Sequence, residues 1–157
     1  MARFKQALTF GRFNLLHRGH VDLFHQMMDD ASEVIIGLST GSKNLPWAHR
    51  RKVIDKALAD RHRYQVLPKP TPFSLFEVRM FNPEDTVIYL GQDQWELGQT
   101  LSREFGVACV TIPRLTSSTT IRALIDNEEW SLLAKEVPAN IIHDVTLLRE
   151  LECQNSH

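Results

Sequence analysis

Gln6-Ala7-Leu8-Thr9-Phe10-Gly11-Arg12-Phe13-Asn14-Leu15-Leu16-His17-Arg18-Gly19-His20 decides the fold, because an apolar run gives way to a glycine turn and then to a helical pattern. Gln6 to Phe10 reads as a buried strand, and Val21-Asp22-Leu23-Phe24-His25-Gln26-Met27-Met28 repeats apolar residues at helical spacing. His17, Gly19 and His20 therefore fall at a helix N-terminus, where free backbone N–H groups and the positive end of the macrodipole favour anions. Glycine at 19 lets an anion approach the backbone closely. Two imidazoles add N–H donors without the fixed charge of lysine, so the stretch suits phosphate groups.

Working outward, period and punctuation predict strands over Lys5–Phe10, Glu33–Leu38, Tyr64–Leu67, Thr86–Leu90 and Val107–Ile112. Helical patterns fall over Gly19–Ala31, Ala48–Ala59, Phe73–Phe81 and Gln94–Phe105, then over Ser118–Asn127, Glu129–Glu136 and Ala139–Leu151. Short continuous apolar strands alternating with helices imply a parallel sheet covered on both faces, so the expected fold is a doubly wound α/β domain with C-terminal helices. Ligands of such sheets bind beyond the carboxyl ends of the strands, near the switch in strand order. One domain over residues 1–151 is expected, with a polar tail over 152–157 that frays. Pro68-Lys69-Pro70-Thr71-Pro72 reads as a stiff connection outside the sheet, walling one side of the site.

At 157 residues and a formal net charge of −1, the chain can bury a sizeable core and presents no basic face for tracking a nucleic-acid duplex. Its basic clusters are local, at His49-Arg50-Arg51-Lys52 and Arg61-His62-Arg63. Cys109 lies in an apolar run and Cys153 in a polar tail, without a CxxC pair, which reads as a reducing, cytoplasmic setting. No segment is apolar enough to span a bilayer and the N-terminus lacks the apolar region of a signal peptide, so no membrane partner is expected. The histidines show no zinc spacing, and no residue is assigned as a metal ligand.

The second informative stretch is Thr116-Ser117-Ser118-Thr119-Thr120-Ile121-Arg122, which follows the fifth predicted strand. Hydroxyls at a helix start either cap it or bind phosphate, and Arg122 lies one turn after Ser118, within reach of an anion held there. Together the GRFNLLHRGH and SSTTIR stretches, some hundred residues apart, resemble the two signature motifs of the HxGH nucleotidylyltransferase superfamily. The resemblance spans nearly the whole chain and implies a Rossmann-like domain with a five-stranded sheet. It assigns His17 and His20 to the triphosphate of a nucleotide, with His20 touching phosphate oxygens as charge develops. Gly11, Arg12, Phe13 and Gly19 would shape the turn beside the nucleotide, and Ser117, Ser118, Thr119 and Arg122 would hold its β- and γ-phosphates. Thr116 departs from the isoleucine common in the family, which removes an apolar anchor but no ligand.

Between the motifs, Lys43 and Arg51 are either solvated surface charges or reach the phosphates of a substrate. In Gly91-Gln92-Asp93-Gln94-Trp95, the glycine permits close approach of a ligand and the indole could stack on a ring; the bland alternative makes Asp93 a helix N-cap and Trp95 a packing residue. Gly91 and Arg114 join the nucleotide-binding set, whereas Asp93 and Trp95 are grouped with Lys43 and Arg51 for the acceptor or its phosphate.

The family reaction is attack by a substrate phosphate on the α-phosphorus of a nucleoside triphosphate with release of pyrophosphate, and Mg²⁺ would be carried mainly by the phosphates. The partners implied are therefore a nucleoside triphosphate and a small phosphorylated acceptor, and a homo-oligomer is compatible with the sequence. The Gly11-Arg12-Phe13 start, and the stretch from Ile121 through Trp130, Leu133 and Val137-Pro138, are similar to short nicotinamide-nucleotide adenylyltransferases. The Leu15-Leu16-His17 variant, His49 to Lys52, Gly91 to Trp95 and Pro113-Arg114 are similar instead to CTP-dependent enzymes acting on an acceptor like glycerol 3-phosphate. Pantetheine-phosphate adenylyltransferases form a third alternative and a catalytically silent nucleotide-binding module a fourth. The adenylyltransferase is favoured because its likeness includes the whole C-terminal helical part.

Overall fold

The computed structural model describes residues 3–41, 43–61, 63–70, 82–113 and 116–155. They group into two compact units, one of Met1–Gly11, Leu23–Ser39 and Arg63–Arg114, the other of Arg12–Asp22, Thr40–His62 and Leu115–His157.

The first unit is built on five parallel strands, β1 (Phe4–Gly11), β2 (Ala31–Ser39), β3 (Tyr64–Lys69), β4 (Thr86–Gly91) and β5 (Ala108–Ile112). Their order is β3-β2-β1-β4-β5, so strand order reverses at β1, between β2 and β4, as a doubly wound sheet requires. β1 lies in register with both neighbours: Leu8 faces Ile35 on one side and Ile88 on the other. Ala7, Leu8, Val87, Ile88 and Tyr89 are buried, which is why Val87 to Leu90 of β4 reads as an unbroken apolar run and the centre of β1 carries Ala7-Leu8 side by side. Thr9 is tolerated among them because its hydroxyl donates to the Tyr89 carbonyl at 3.1 Å. The Tyr89 hydroxyl donates to the Asp30 carboxylate, and burial followed by that contact raises the phenol above its ordinary range.

Helix α3 (Trp95–Phe105) closes on this sheet through Leu101, which clusters with Leu8, Ile88, Leu90 and Val107. Gly98 allows the approach, since a Cβ there would stand 3.1 Å from Leu90 Cδ1. The helix ends at Gly106, whose φ of 68° is left-handed and whose N–H donates to the Ser102 carbonyl at 2.9 Å.

The second unit is helical. It holds the turn Arg12–His17, the first residues of α1 (Arg18–Asp30), α2 (Trp47–Ala57), α4 (Ser118–Asp126), α5 (Trp130–Glu136) and α6 (Ile142–Asn155). Three of these helices bury residues at helical spacing: Arg50, Val53 and Ile54 on α2, Ile121 and Ile125 on α4, Val145 and Leu148 on α6. Polar ties join them. Lys56 on α2 pairs with Asp144 on α6 at 2.8 Å, and Arg149 on α6 grips Asp126 on α4 through two bonds of 3.0 and 2.7 Å.

The predicted strands and helices that fall on described residues are present, with ends shifted by a few residues. Three departures have physical causes. Pro68 lies inside β3, paired opposite Leu38, rather than in a connection; β3 is an edge strand, where a missing N–H breaks no ladder on the open side. The expected fray from Glu152 does not occur: α6 runs to Asn155, and the Glu152 carboxylate accepts bonds from Arg122 and Arg149. The start of α6 is a 3₁₀ turn over Ala139–Ile141, which follows Pro138. The predicted helix Phe73–Phe81 and the wall expected of Thr71 and Pro72 lie outside the described residues.

A Cβ added at Gly106 would meet nothing within 4 Å, so the only penalty of Gly106→Ala is the left-handed backbone. We expect a loss of about 1–2 kcal/mol, seen as a lower urea midpoint with an unchanged slope; no shift would show that the helix end relaxes to another conformation.

Candidate active site

After Gly11 closes β1, the chain enters a turn in which Phe13 adopts a φ of 45°, a left-handed conformation that a bulky residue rarely takes. Such a residue costs of order 1–3 kcal/mol and persists only where its surroundings impose it. Here four contacts do so. Arg50 Nη1 donates to the Arg12 carbonyl at 2.7 Å, the Leu45 N–H donates to Asn14 Oδ1 at 3.4 Å, and the Arg12 guanidinium donates to Asn44 Oδ1 at 2.8 Å and to the Lys43 carbonyl at 3.3 Å. The buried Phe13 ring meets the His20 imidazole edge-on, with centroids 4.9 Å apart and planes at 82°.

Arg50 is 1% exposed. Burial first, and the neighbouring Arg12 cation second, pull its pKa down to about 10, which still leaves it charged at neutral pH. A buried cation under the turn is therefore part of the site, and sequence reading missed it while selecting its neighbour Arg51. The available signal was position: Arg50, Val53 and Ile54 share the apolar face of α2. Arg51 is exposed, paired with Asp55 at 3.6 Å and set over the Trp47 ring.

The two histidines stack on each other, centroids 3.6 Å apart and planes at 20°. His17 is buried, and its backbone N–H donates to His20 Nδ1 at 3.4 Å. In the neutral ring that bond places the His20 proton on Nε2, so the imidazole is set as a donor. Gly19 makes the stack possible. A Cβ there would lie 3.0 Å from His17 Cε1 and 3.1 Å from Nδ1, so the His17 ring would have to shift by a few tenths of an ångström to admit it. Arg18, between the histidines, donates from Nε and Nη2 to the carbonyls of Lys135 and Ala134, so it ties the start of α1 to the end of α5.

The second motif meets the first at this point. Thr116 Cγ2 stands 3.7 Å from where a Cβ of Gly19 would be. The Thr116 methyl thus lies beside Gly19. Ser117 caps α4: its Oγ accepts from the Thr120 N–H at 3.2 Å and lies 3.1 Å from the Thr120 hydroxyl. Capping is the structural role open to it in the sequence. Ser118 is half-buried at the first position of the helix and Thr119 is exposed. Arg122 is half-buried and bound side-on by Glu152, at 2.9 and 2.7 Å, which holds its guanidinium firmly charged.

Residues 8–143 match the cytidylyltransferase-like family model. The chain belongs to that family. Within this cytidylyltransferase-like family, a nicotinamide-nucleotide adenylyltransferase from Pyrococcus furiosus is 27% identical over 165 residues, covering 90% of this chain and 84% of its own. A protein of the same name from Methanococcus aeolicus is 27% identical over 157 residues, covering 89% of each. Among solved structures, a Plasmodium falciparum nicotinic acid mononucleotide adenylyltransferase complexed with NaAD superposes with a TM-score of 0.62 at 13% identity, covering 98% of this chain and all of that one. At that identity the match speaks for the fold.

The remaining predicted residues are placed as follows. Lys43 is exposed beside the turn and accepts from Arg12 through its carbonyl. Gly91 ends β4, is exposed, and has a φ of −68° that any residue could adopt. Trp95 is 50% exposed rather than packed, and with Gly98, Ser102, Cys109 and Thr111 it lines a groove of about 550 Å³ in the sheet unit. Asp93 is not the N-cap of α3; that position belongs to Gln94, while the backbone of Asp93 lies in the 3₁₀ turn Gln92–Gln94. The Asp93 side chain and Arg114 lie outside the described residues.

Gly19→Ala tests the stack directly. We expect displacement of the His17 ring, seen as loss of mutual ring-current shifts of His17 and His20 by NMR, with a melting temperature lowered by only a few degrees. Unchanged histidine resonances would show that the turn absorbs a Cβ elsewhere.

Proposed function

We propose that this protein is a nicotinamide-nucleotide adenylyltransferase, joining the phosphate of nicotinamide mononucleotide to the α-phosphorus of ATP to give NAD and pyrophosphate. The observation that carries the reading is the meeting of the two motifs: stacked His17 and His20, Thr116 beside Gly19, and a hydroxyl-rich helix start followed by Arg122. The names of the Pyrococcus and Methanococcus relatives support the choice of adenylyl donor and acceptor.

In this reading an acceptor phosphate oxygen attacks the α-phosphorus in line, a new P–O bond forms, and the bond to the bridging oxygen of pyrophosphate breaks with its electron pair leaving on that oxygen. The attacking oxygen is already ionised at neutral pH, so no general base is needed. The work of the protein is alignment and stabilisation of developing charge. His20 donates from Nε2 to phosphate oxygens, and His17, fixed by Gly19, holds His20 in line. Ser118, Thr119, the N–H groups opening α4 and Arg122 take the β- and γ-phosphates; Ser117 contributes chiefly by capping. Buried Arg50 adds fixed positive charge under the turn and Lys43 adds an exposed cation beside it.

A divalent cation enters as the companion of the triphosphate. Among the described residues no three His, Cys, Asp or Glu side chains gather in a way that could hold a metal ion. Mg²⁺ would be carried mainly by the phosphates, as the family resemblance implies, and would supply charge neutralisation there. No helix among the described residues is long and apolar enough to cross a membrane. A nucleoside triphosphate and a small phosphorylated acceptor as partners, and a cytoplasmic setting as the cysteine usage suggests, complete the reading.

With Mg²⁺, the purified protein should form NAD from ATP and nicotinamide mononucleotide well above any product from CTP with glycerol 3-phosphate. His20→Ala should lower turnover by about a hundredfold, since loss of one preorganised donor to a charge-developing oxygen costs about 3 kcal/mol, while the melting temperature stays close to wild type. Pyrophosphate release measured for each substrate pair checks the first, and NAD formation measured by coupled reduction checks the second. A faster CTP reaction, or near-normal turnover of the variant, would overturn the assignment.

A further inference from the structure

Arg122 is held by one edge. Its Nε donates to Glu152 Oε1 at 2.9 Å and its Nη2 to Oε2 at 2.7 Å, while Nη1 makes no hydrogen bond among the described residues. Glu152 Oε1 also accepts from Arg149 Nη1 at 3.3 Å, and Arg149 turns its Nε and Nη2 edge to Asp126. Two cations thus alternate with two carboxylates across α4 and α6, with Arg122 and Asp126 one turn apart on the first and Arg149 and Glu152 one turn apart on the second. The Glu152 side chain is 12% exposed and that of Arg122 30%, so the arginine is the more accessible partner of the pair.

We infer that Glu152 is a positioning residue for the adenylyl transfer: it fixes the guanidinium of Arg122 so that the Nη1 edge stands ready for the triphosphate. The inference rests on the proposed role of Arg122 as a phosphate ligand. A long side chain ordered before the nucleotide arrives loses less conformational freedom on binding, and a planar fork set at a fixed angle can select in-line alignment. Alone, a carboxylate beside a phosphate site would repel the substrate. Arg149 removes that objection by sharing Glu152 Oε1, and the quartet of Arg122, Glu152, Arg149 and Asp126 carries no net formal charge. Glu152 was assigned to a frayed tail by its sequence; the fold makes it the partner of a motif residue.

The test is a double-mutant cycle on initial rates of NAD formation, with melting temperatures recorded for every variant. Glu152→Ala should raise KM for ATP by about tenfold and lower turnover by a smaller factor, the loss expected for a charge-assisted contact acting through a neighbour, and KM for nicotinamide mononucleotide should not move. Glu152→Gln, which keeps one acceptor for Nε, should fall between. In an Arg122→Ala background, Glu152→Ala should add nothing to the kinetic loss, because its effect passes through the guanidinium. Should Glu152→Ala fail to fold, Glu152→Gln carries the same comparison. A lowered KM for ATP would mean that Glu152 competes with phosphate for Arg122, and additive losses would mean that it merely anchors α6; either result overturns the inference. If Arg122→Ala itself leaves ATP kinetics unchanged, the phosphate role of Arg122 falls first, and that outcome is distinct from a failure of Glu152 alone.

Discussion

Everything attributed to the histidine pair depends on the turn between Arg12 and His17 being held in a shape its sequence does not favour. Phe13 sits at a φ of 45°, a conformation that costs of order 1–3 kcal/mol for such a residue. A charge-assisted hydrogen bond contributes about 1.5–3 kcal/mol and a neutral one about 1, so the bond from Arg50 to the Arg12 carbonyl, with that from Leu45 to Asn14, is of the size needed to hold it. Burial of the Phe13 ring acts in the same direction. The result is an edge-on Phe13 that leaves His20 stacked face to face on His17.

The packing around that pair has little slack. A methyl group at Gly19 would press on the His17 ring at 3.0 Å and lie 3.7 Å from Thr116 Cγ2 of the second motif. Arg18 meanwhile spends its guanidinium on the carbonyls ending α5, where cation and helix terminus suit each other. The four residues of the HRGH tetrad therefore divide their labour: the histidines face one another, glycine gives space, and arginine anchors the tetrad within its unit. A site meant to stabilise charge in a transition state benefits from such fixed donors, since they need no reorganisation when charge moves.

The electrostatics of the helical unit follow a related pattern. Arg50 is buried under the turn with its pKa lowered only to about 10, so it remains a cation wherever the protein works near neutrality. Arg12 and Lys43 add exposed charge beside it. Arg122 and Arg149, by contrast, are each matched with a carboxylate. In the proposed function, the first group would attract an anion and the second would direct it.

Much of this was legible in the chain itself. The unbroken apolar run of β4 and the adjacent apolar pair Ala7-Leu8 of β1 announce strands buried on both faces, and alternation with helices fixes a parallel sheet, because a residue flanked by strands on both sides and helices above and below has no polar face to show. The HRGH tetrad and the hydroxyl-rich helix start are also local, since glycine, histidine and capping residues owe their roles to near neighbours. What only the tertiary structure decided are the partners distant in sequence. Arg50 looks like one more member of a basic surface cluster until α2 turns it under Arg12, and Glu152 looks like a solvated tail until α6 carries it to Arg122. The exposed state of Trp95 and the pairing of Arg51 with Asp55 were likewise settled by packing. A charge in sequence has no sign of burial attached to it; its meaning comes from the counter-charge or carbonyl that folding places within about 3 Å.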